Sequence, residues 1–227
     1  HSRCRPGGVN TVSMDDLALF DLDNTLLDRE KAFRIWSGRF VESHGLDRDA
    51  VEVIRQLDGD GLAPREQFLA DLRRAFDIST GVDVLLENYY DEYPSFFSVE
   101  PETLAAIRTL RGNGVKVGVV TNGPPTQWAK IEAAGLAGEV DAVCISAVVG
   151  AWKPDVAIFE AAARACRVPL AGWMVGDSAD ADMVGGRRAG LKTIWMARGR
   201  AWQPGDCSPD FTVATIPEAV DIIVRSG

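Results

Sequence analysis

Leu17-Ala18-Leu19-Phe20-Asp21-Leu22-Asp23-Asn24-Thr25-Leu26-Leu27-Asp28 runs four apolar residues into two carboxylates two positions apart, followed by an Asn and a Thr. A short apolar run bounded by polar turn residues reads as a parallel strand buried on both faces. The two acids then stand where that strand leaves the core. In an open α/β sheet the carboxyl ends of the strands are where ligands bind. Burying Asp21 and Asp23 side by side raises at least one pKa unless a cation or hydrogen-bond donors compensate. The pair therefore suggests a divalent metal, and the rest of the chain can be searched for the missing partners.

The bulk properties narrow the partners. A chain of 227 residues allows one large domain or a domain carrying a sizeable insertion. With 46% hydrophobic and 25% charged residues, the composition is that of an ordinary globular protein. No apolar run approaches the roughly 20 residues of a bilayer span, so no membrane partner is expected. The formal net charge of −9 argues against nucleic acid, whose binding is driven by Lys and Arg. It leaves room for a phosphorylated small molecule, because a local metal outweighs distant surface acids. The cysteines, Cys4, Cys144, Cys166 and Cys207, are scattered without metal-ligand spacing. Cys144 and Cys166 fall in apolar contexts and read as buried free thiols, which fits a cytoplasmic location. Residues 1–14 lack the apolar core of a signal peptide. They read as a disordered leader or tag remnant, with His1 as an expression scar and Met14 as the natural start.

From about Arg29 to Phe97 the pattern is helical. Ala32, Phe33, Trp36, Phe40 and Val41 recur at helical spacing up to Gly45. Val51, Ile54 and Leu57 suggest a second helix. Asp58-Gly59-Asp60-Gly61 reads as a loop extending to Leu62, Pro64 opens a third helix, and a fourth runs from about Val82 to Tyr93. Four helices are too many for a simple crossover, so residues 29–97 are expected to form an inserted helical cap, with 15–28 and 98–227 as the α/β core. After Pro101 helix and strand alternate. Strands are expected at Val115–Val120, Ala142–Val149, Trp173–Val175, Thr193–Ala197 and Phe211–Val213, with helices between them, one of these over Met183–Ala189. This alternation predicts a doubly wound parallel sheet.

Each strand end offers a polar group: Asp21 and Asp23, then Thr121 and Asn122, then Lys153, then Asp177 with Asp180 and Asp182 behind it. Singly, each has an ordinary explanation as a turn, a solvated loop lysine or helix N-terminal acids. Independent coincidence at four successive strand ends is much rarer. Together they suit phosphoryl transfer, with carboxylates offering oxygen ligands to Mg²⁺ and Lys153 and a hydroxyl neutralising phosphate oxygens. His1 is terminal and His44 closes an amphipathic helix, so acid–base work falls to a carboxylate.

These residues resemble the haloacid dehalogenase-like superfamily, in its phosphatase branch. Its first motif, Asp-x-Asp-x-Thr, stands as Asp21-Leu22-Asp23-Asn24-Thr25. Its second matches Thr121, its third Lys153-Pro154, and its fourth Gly176-Asp177 through Asp182, whose spacing favours Asp182 over Asp180. The similarity covers nearly everything from Leu17 onward, and the helical insert is similar to a C1-type cap. The resemblance implies a Rossmann-like core with strand order 3-2-1-4-5. It makes Asp21 the nucleophile that forms an aspartyl-phosphate, and Asp23 the acid and base whose carbonyl also binds metal. Asp177 completes the Mg²⁺ ligands with Asp21. Asp182 orients Lys153 or a metal-bound water, and Thr121, the Asn122 backbone and Lys153 hold the phosphoryl oxygens.

Dehalogenases of the superfamily lack the second acid, so Asp23 points away from carbon–halogen cleavage. A phosphomutase keeps both acids and remains an alternative, as does a non-enzymatic receiver-like module. Substrate choice is expected to lie with the cap. Asp28, Arg29, Arg65 and Gln67 are the candidate contacts to a small phosphorylated metabolite, and Arg198 and Arg200 read as loop residues. A monomer is the default, a dimer the alternative. Lys153, on a loop, is expected to matter for phosphate handling much more than for folding.

Overall fold

The computed structural model describes residues 17–61, 63–203 and 207–226. The expected leader, 1–14, and Leu62 of the expected loop lie outside the described residues.

Six strands form one sheet, β1 (Leu17–Phe20), β2 (Lys116–Thr121), β3 (Ala142–Ile145), β4 (Gly172–Gly176), β5 (Lys192–Met196) and β6 (Phe211–Val213). Their order is β3-β2-β1-β4-β5-β6, and every pairing is parallel. The expected order is extended at one edge by β6. Alternate residues of β1 enter different apolar clusters: Ala18 and Phe20 join one, Leu17 and Leu19 the other. This is the two-residue period of a strand covered on both faces. Helices α5 (Pro101–Gly112), α6 (Gln127–Ala133) and α10 (Ile216–Ser226) supply the first cluster with Ile107, Leu110, Ile131, Ala219 and Ile223. Helix α8 (Val156–Cys166) supplies the second with Ile158, Phe159 and Ala162. Cys144 and Cys166 are buried free thiols, as expected.

Helices α1 (Arg29–Ser43), α2 (Ala50–Asp58), α3 (Arg65–Ala75) and α4 (Val82–Glu92) fill the space between β1 and α5. Asp28 starts α1 by accepting a hydrogen bond from the Lys31 N–H at 3.0 Å. Aromatic rings hold α1, α3 and α4 together. Trp36 packs edge-on to Tyr89 at 5.0 Å, Phe33 lies 5.9 Å from Phe68, and Tyr89 stacks on Tyr93 at 4.7 Å. The apolar cluster of the sheet's first face continues unbroken into this insertion. Among the described residues no helix is long and apolar enough to cross a membrane.

Two element boundaries differ from expectation. The third strand stops at Ile145, and Ser146–Val149 forms a helical turn, α7. Its one partner among the described residues, β2, ends at Thr121 opposite Ile145, so further residues would have no ladder to join. Val148 is accordingly exposed although it sits in an apolar run. The helix after β4 begins at Ala179 rather than Met183, as a π-type segment (Ala179–Val184) that runs into α9 (Gly185–Arg188). That wide turn places Asp182 inside the protein, fully buried.

Candidate active site

The Asp21 N–H donates to the Val175 carbonyl at 2.9 Å, extending the β1–β4 pairing by one residue. The chain then folds into a tight loop, with Asn24 in the left-handed region at φ 61°, a conformation Asn tolerates. The turn directs the Thr25 hydroxyl to Asp21 Oδ2 at 3.3 Å. From the third strand end, Lys153 Nζ donates to Asp21 Oδ1 at 2.5 Å and pairs with Asp182 Oδ1 at 2.7 Å. Asn122 clamps the Lys153 backbone: its Oδ1 accepts from the Lys153 N–H and its Nδ2 donates to the Lys153 carbonyl, both at 2.9 Å. The Lys153–Pro154 peptide is cis. Asp182 Oδ2 accepts from the Ser178 N–H at 3.0 Å. A Cβ on residue 176 would lie 2.2 Å from Asp182 Oδ2, so Gly176 leaves the room in which that carboxylate sits.

Carboxylate oxygens of Asp21, Asp177 and Asp182 all lie within 4.8 Å of one another. Burial, then the negative charge of Asp182, pushes the Asp21 carboxyl up to about 7 against the pull of Lys153. The same causes raise Asp177 to about 6, against Arg200 at 3.1 Å. Lys153 is buried, yet Asp182 and Asp21 raise its pKa. An acid cluster that resists ionisation and offers only hard oxygen donors fits Mg²⁺.

Asp23 points elsewhere. Its carboxylate accepts from Lys130 Nζ at 2.7 and 2.9 Å and from Gln127 Nε2 at 2.9 Å. Burial favours the neutral acid, but Lys130 and Gln127 outweigh it and hold the Asp23 pKa below the ordinary carboxylate value. Gln127 Nε2 also donates to the Thr121 hydroxyl at 3.0 Å, linking Asp23 to the second strand end. Lys130 lies over the Phe97 ring at 4.9 Å and the Tyr93 ring at 5.7 Å. Sequence reasoning missed both residues. The available signal was a Gln and a Lys at i and i+3, on one face of the helix that follows the Thr121 turn.

Two cavities meet here. The larger, about 530 Å³, contains Asp21, Asp23, Thr121, Lys153, Asp177 and Asp182 in its wall. The smaller, about 150 Å³, lies between insertion and sheet, with Arg29, Arg65, Tyr89, Tyr93 and Lys130 in its wall. Asp23, Arg29, Gly61 and Asn122 line both. Of the four expected substrate contacts, only Arg29 and Arg65 are at the site. Asp28 is exposed and paired with Arg198 at 2.9 Å, and Gln67 is exposed and bonded to Asp71 at 2.9 Å; neither lines these two cavities. Arg200, read as a loop residue, holds Asp177. Lys153 is on a loop but only 5% exposed. Two buried carboxylates, Asp21 and Asp182, pair with it, so its loss should cost the fold as well as phosphate handling.

The profile of the haloacid dehalogenase-like hydrolases matches residues 16–190, and the chain belongs to that family. It groups with the family's phosphatases. It is 36% identical over 190 residues to the phosphoserine phosphatase of Thermus thermophilus, covering 83% of this chain and 67% of that protein. It is 33% identical over 224 residues to the glyceraldehyde 3-phosphate phosphatase of Methanopyrus kandleri, covering 90% and 95%. The structure superposes with a TM-score of 0.75 on the putative HAD-hydrolase YfnB of Bacillus subtilis, solved bound to magnesium, at 22% identity over 92% of this chain and 98% of that one.

Proposed function

We propose that this hydrolase of phosphoric monoesters is a Mg²⁺-dependent phosphatase of a small phosphorylated metabolite, working through an aspartyl-phosphate on Asp21. The observation that carries the reading is the division of the two acids. Asp21 is buried among Lys153, Asp177 and Asp182, while Asp23, two residues on, is turned to the junction of the two cavities. A phosphoryl group in the larger cavity would place the leaving oxygen at that junction.

Asp21 and Asp177, with the Asp23 carbonyl, would hold Mg²⁺, and Asp182 is left to Lys153 and the Ser178 N–H. When bound, the ion supplies charge neutralisation and alignment of the phosphoryl oxygens. In the first step an Asp21 carboxylate oxygen bonds to phosphorus as the bond to the leaving oxygen breaks, and that oxygen takes a proton from Asp23. In the second, Asp23 removes a proton from water as the water oxygen bonds to phosphorus. The bond from Asp21 then breaks, releasing inorganic phosphate and restoring both acids. Lys130 Nζ, 2.7 Å from Asp23, favours the ionised form of that carboxylate, the form that takes the proton from water in the second step. Lys153 and the Thr121 hydroxyl steady the phosphoryl oxygens. Residues 29–97 act as the cap that walls off the leaving group, and the enzyme works in the cytoplasm as a monomer.

Phosphate release from p-nitrophenyl phosphate tests the nucleophile. Asp21→Asn is expected to lower kcat by about 10⁴-fold or more. A variant that keeps a tenth of the activity while folded and metal-bound contradicts the assignment.

A further inference from the structure

The walls of the smaller cavity carry a pattern that the phosphoryl chemistry does not use. Asp58, at the end of α2 and fully buried, holds two guanidinium groups. Arg29 Nη2 is 2.5 Å from its Oδ2 and Arg65 Nη1 is 2.6 Å from its Oδ1. One carboxylate therefore serves two permanent cations, and Lys130 is matched by Asp23. Asp60 reaches Arg29 at 3.3 Å, but its carboxyl is 74% exposed and water screens it. The wall is left with positive charge in excess.

The loop that follows α2 is shaped around this group. Gly61, at φ 84°, lies so close to Arg29 that a Cβ would approach the guanidinium to 2.7 Å. Its N–H donates to Asp58 Oδ2 at 2.8 Å, which fixes the loop over the arginine. Tyr93 supplies an independent observation. It is 3% exposed, it lines the cavity, and among the described residues its hydroxyl has no hydrogen-bond partner. A buried hydroxyl without a partner keeps its full desolvation cost, and such a group needs an explanation. A ligand atom in the cavity would be its partner.

The volume limits that ligand. An apolar cavity of about 150 Å³ takes one benzene, so this space holds about six non-hydrogen atoms. A three-carbon hydroxy acid beyond its ester oxygen is of that size. A nucleoside or a hexose is too large for it. Arginine is the side chain best suited to a carboxylate, through its planar fork of donors.

We infer that this cavity receives the alcohol portion of the substrate and selects a short one, of about two to four carbons, that carries its own carboxylate. Arg29, Arg65 and Tyr93 are its specificity-determining residues. The inference rests on the phosphatase reading, since it assumes that the neighbouring cavity holds the phosphoryl group.

The test compares 3-phosphoglycerate with glycerol 3-phosphate, which has the same carbon count but no carboxylate, and with a 5′-nucleotide, all with Mg²⁺. The wild type is expected to favour 3-phosphoglycerate in kcat/KM by about tenfold or more over each. Arg65→Gln and Tyr93→Phe should each reduce that preference by about threefold or more. Tyr93→Phe removes one oxygen and keeps the ring packing, so it reports on selectivity even if Arg65→Gln folds poorly. Equal or faster hydrolysis of glycerol 3-phosphate or of the nucleotide overturns the inference and leaves the phosphatase reading standing. So does a wild-type preference that Tyr93→Phe leaves unchanged. No phosphate from any ester, p-nitrophenyl phosphate included, overturns both.

Discussion

The two walls of the site are built by different physics. On the sheet side, each functional group follows a strand, and the strands' parallel register brings Asp21, Thr121, Lys153 and Asp177 to one edge. On the insertion side, Arg29, Arg65 and Tyr93 come from three separate segments. They meet because aromatic packing and one buried carboxylate, Asp58, draw the helices together. The sheet wall is an acid cluster that wants a cation, and the insertion wall is a cationic cluster that suits an anion. The first suits a chemical step, the second the choice of substrate.

Substitutions should separate the walls by the kind of effect as well as its size. Lys153→Met is expected to cost the most. It leaves Asp21 and Asp182 buried without their cation, so kcat should fall by about 10³-fold or more. Stability in urea should drop by about 3 kcal/mol. A variant as stable as the wild type would show that Lys153 carries no structural charge. Lys130→Met, at the boundary between the walls, should lower kcat by about 10–100-fold. It also removes the charge that holds the Asp23 pKa down, so the pH profile of kcat should move to higher pH. An unmoved profile would disconnect Lys130 from Asp23.

Asp58→Ala acts on the insertion wall alone. It releases both guanidinium groups and should cost about 3 kcal/mol of stability. The KM for a small acidic ester should change more than kcat. A larger effect on kcat would break the division between the walls. Mg²⁺ gives the smallest effect. Asp21 and Asp177 have folded-state pKa values of about 7 and about 6, above their ordinary 3.8. The folded protein therefore holds protons that the unfolded chain has already lost. Without metal, the stability from these groups is complete below pH 3.8 and is lost as pH rises towards about 7. Mg²⁺ binds the ionised carboxylates, so its stabilisation should be full near neutrality and shrink in acid. At about 100 times its Kd it contributes about 2.7 kcal/mol, or roughly 5–10 °C in Tm. A Tm shift as large at pH 5 as at pH 7.5 would place the metal elsewhere.

The difference between the walls also explains what could be read from the chain alone. Strand-end residues are legible because a parallel strand leaves the core at a definite residue. Asp21, Thr121 and Asp177 could thus be placed at strand ends, whereas only the resemblance to the family's fourth motif distinguishes Asp182 from Asp180. The third strand was overextended because an apolar run does not show where its neighbour stops. Lys153 was placed correctly on a loop, but its burial depends on two carboxylates from distant segments. Arg29 and Asp58 are 29 positions apart, and no local pattern announces their pairing. Asp58 read as the start of a turn, although it ends a helix and is fully buried. Asp28 and Gln67 share segments with Arg29 and Arg65 but face solvent, a distinction that only the packed helices make.

The most direct test is to quench the wild-type enzyme in acid during turnover of p-nitrophenyl phosphate with Mg²⁺ and to map the phosphoryl group by mass spectrometry. Attack by Asp21 predicts a phosphoryl adduct on the peptide that carries it, at that residue and absent from Asp21→Asn. Steady phosphate release with no adduct on the protein, or an adduct on Asp23, would contradict the division of roles on which the account rests.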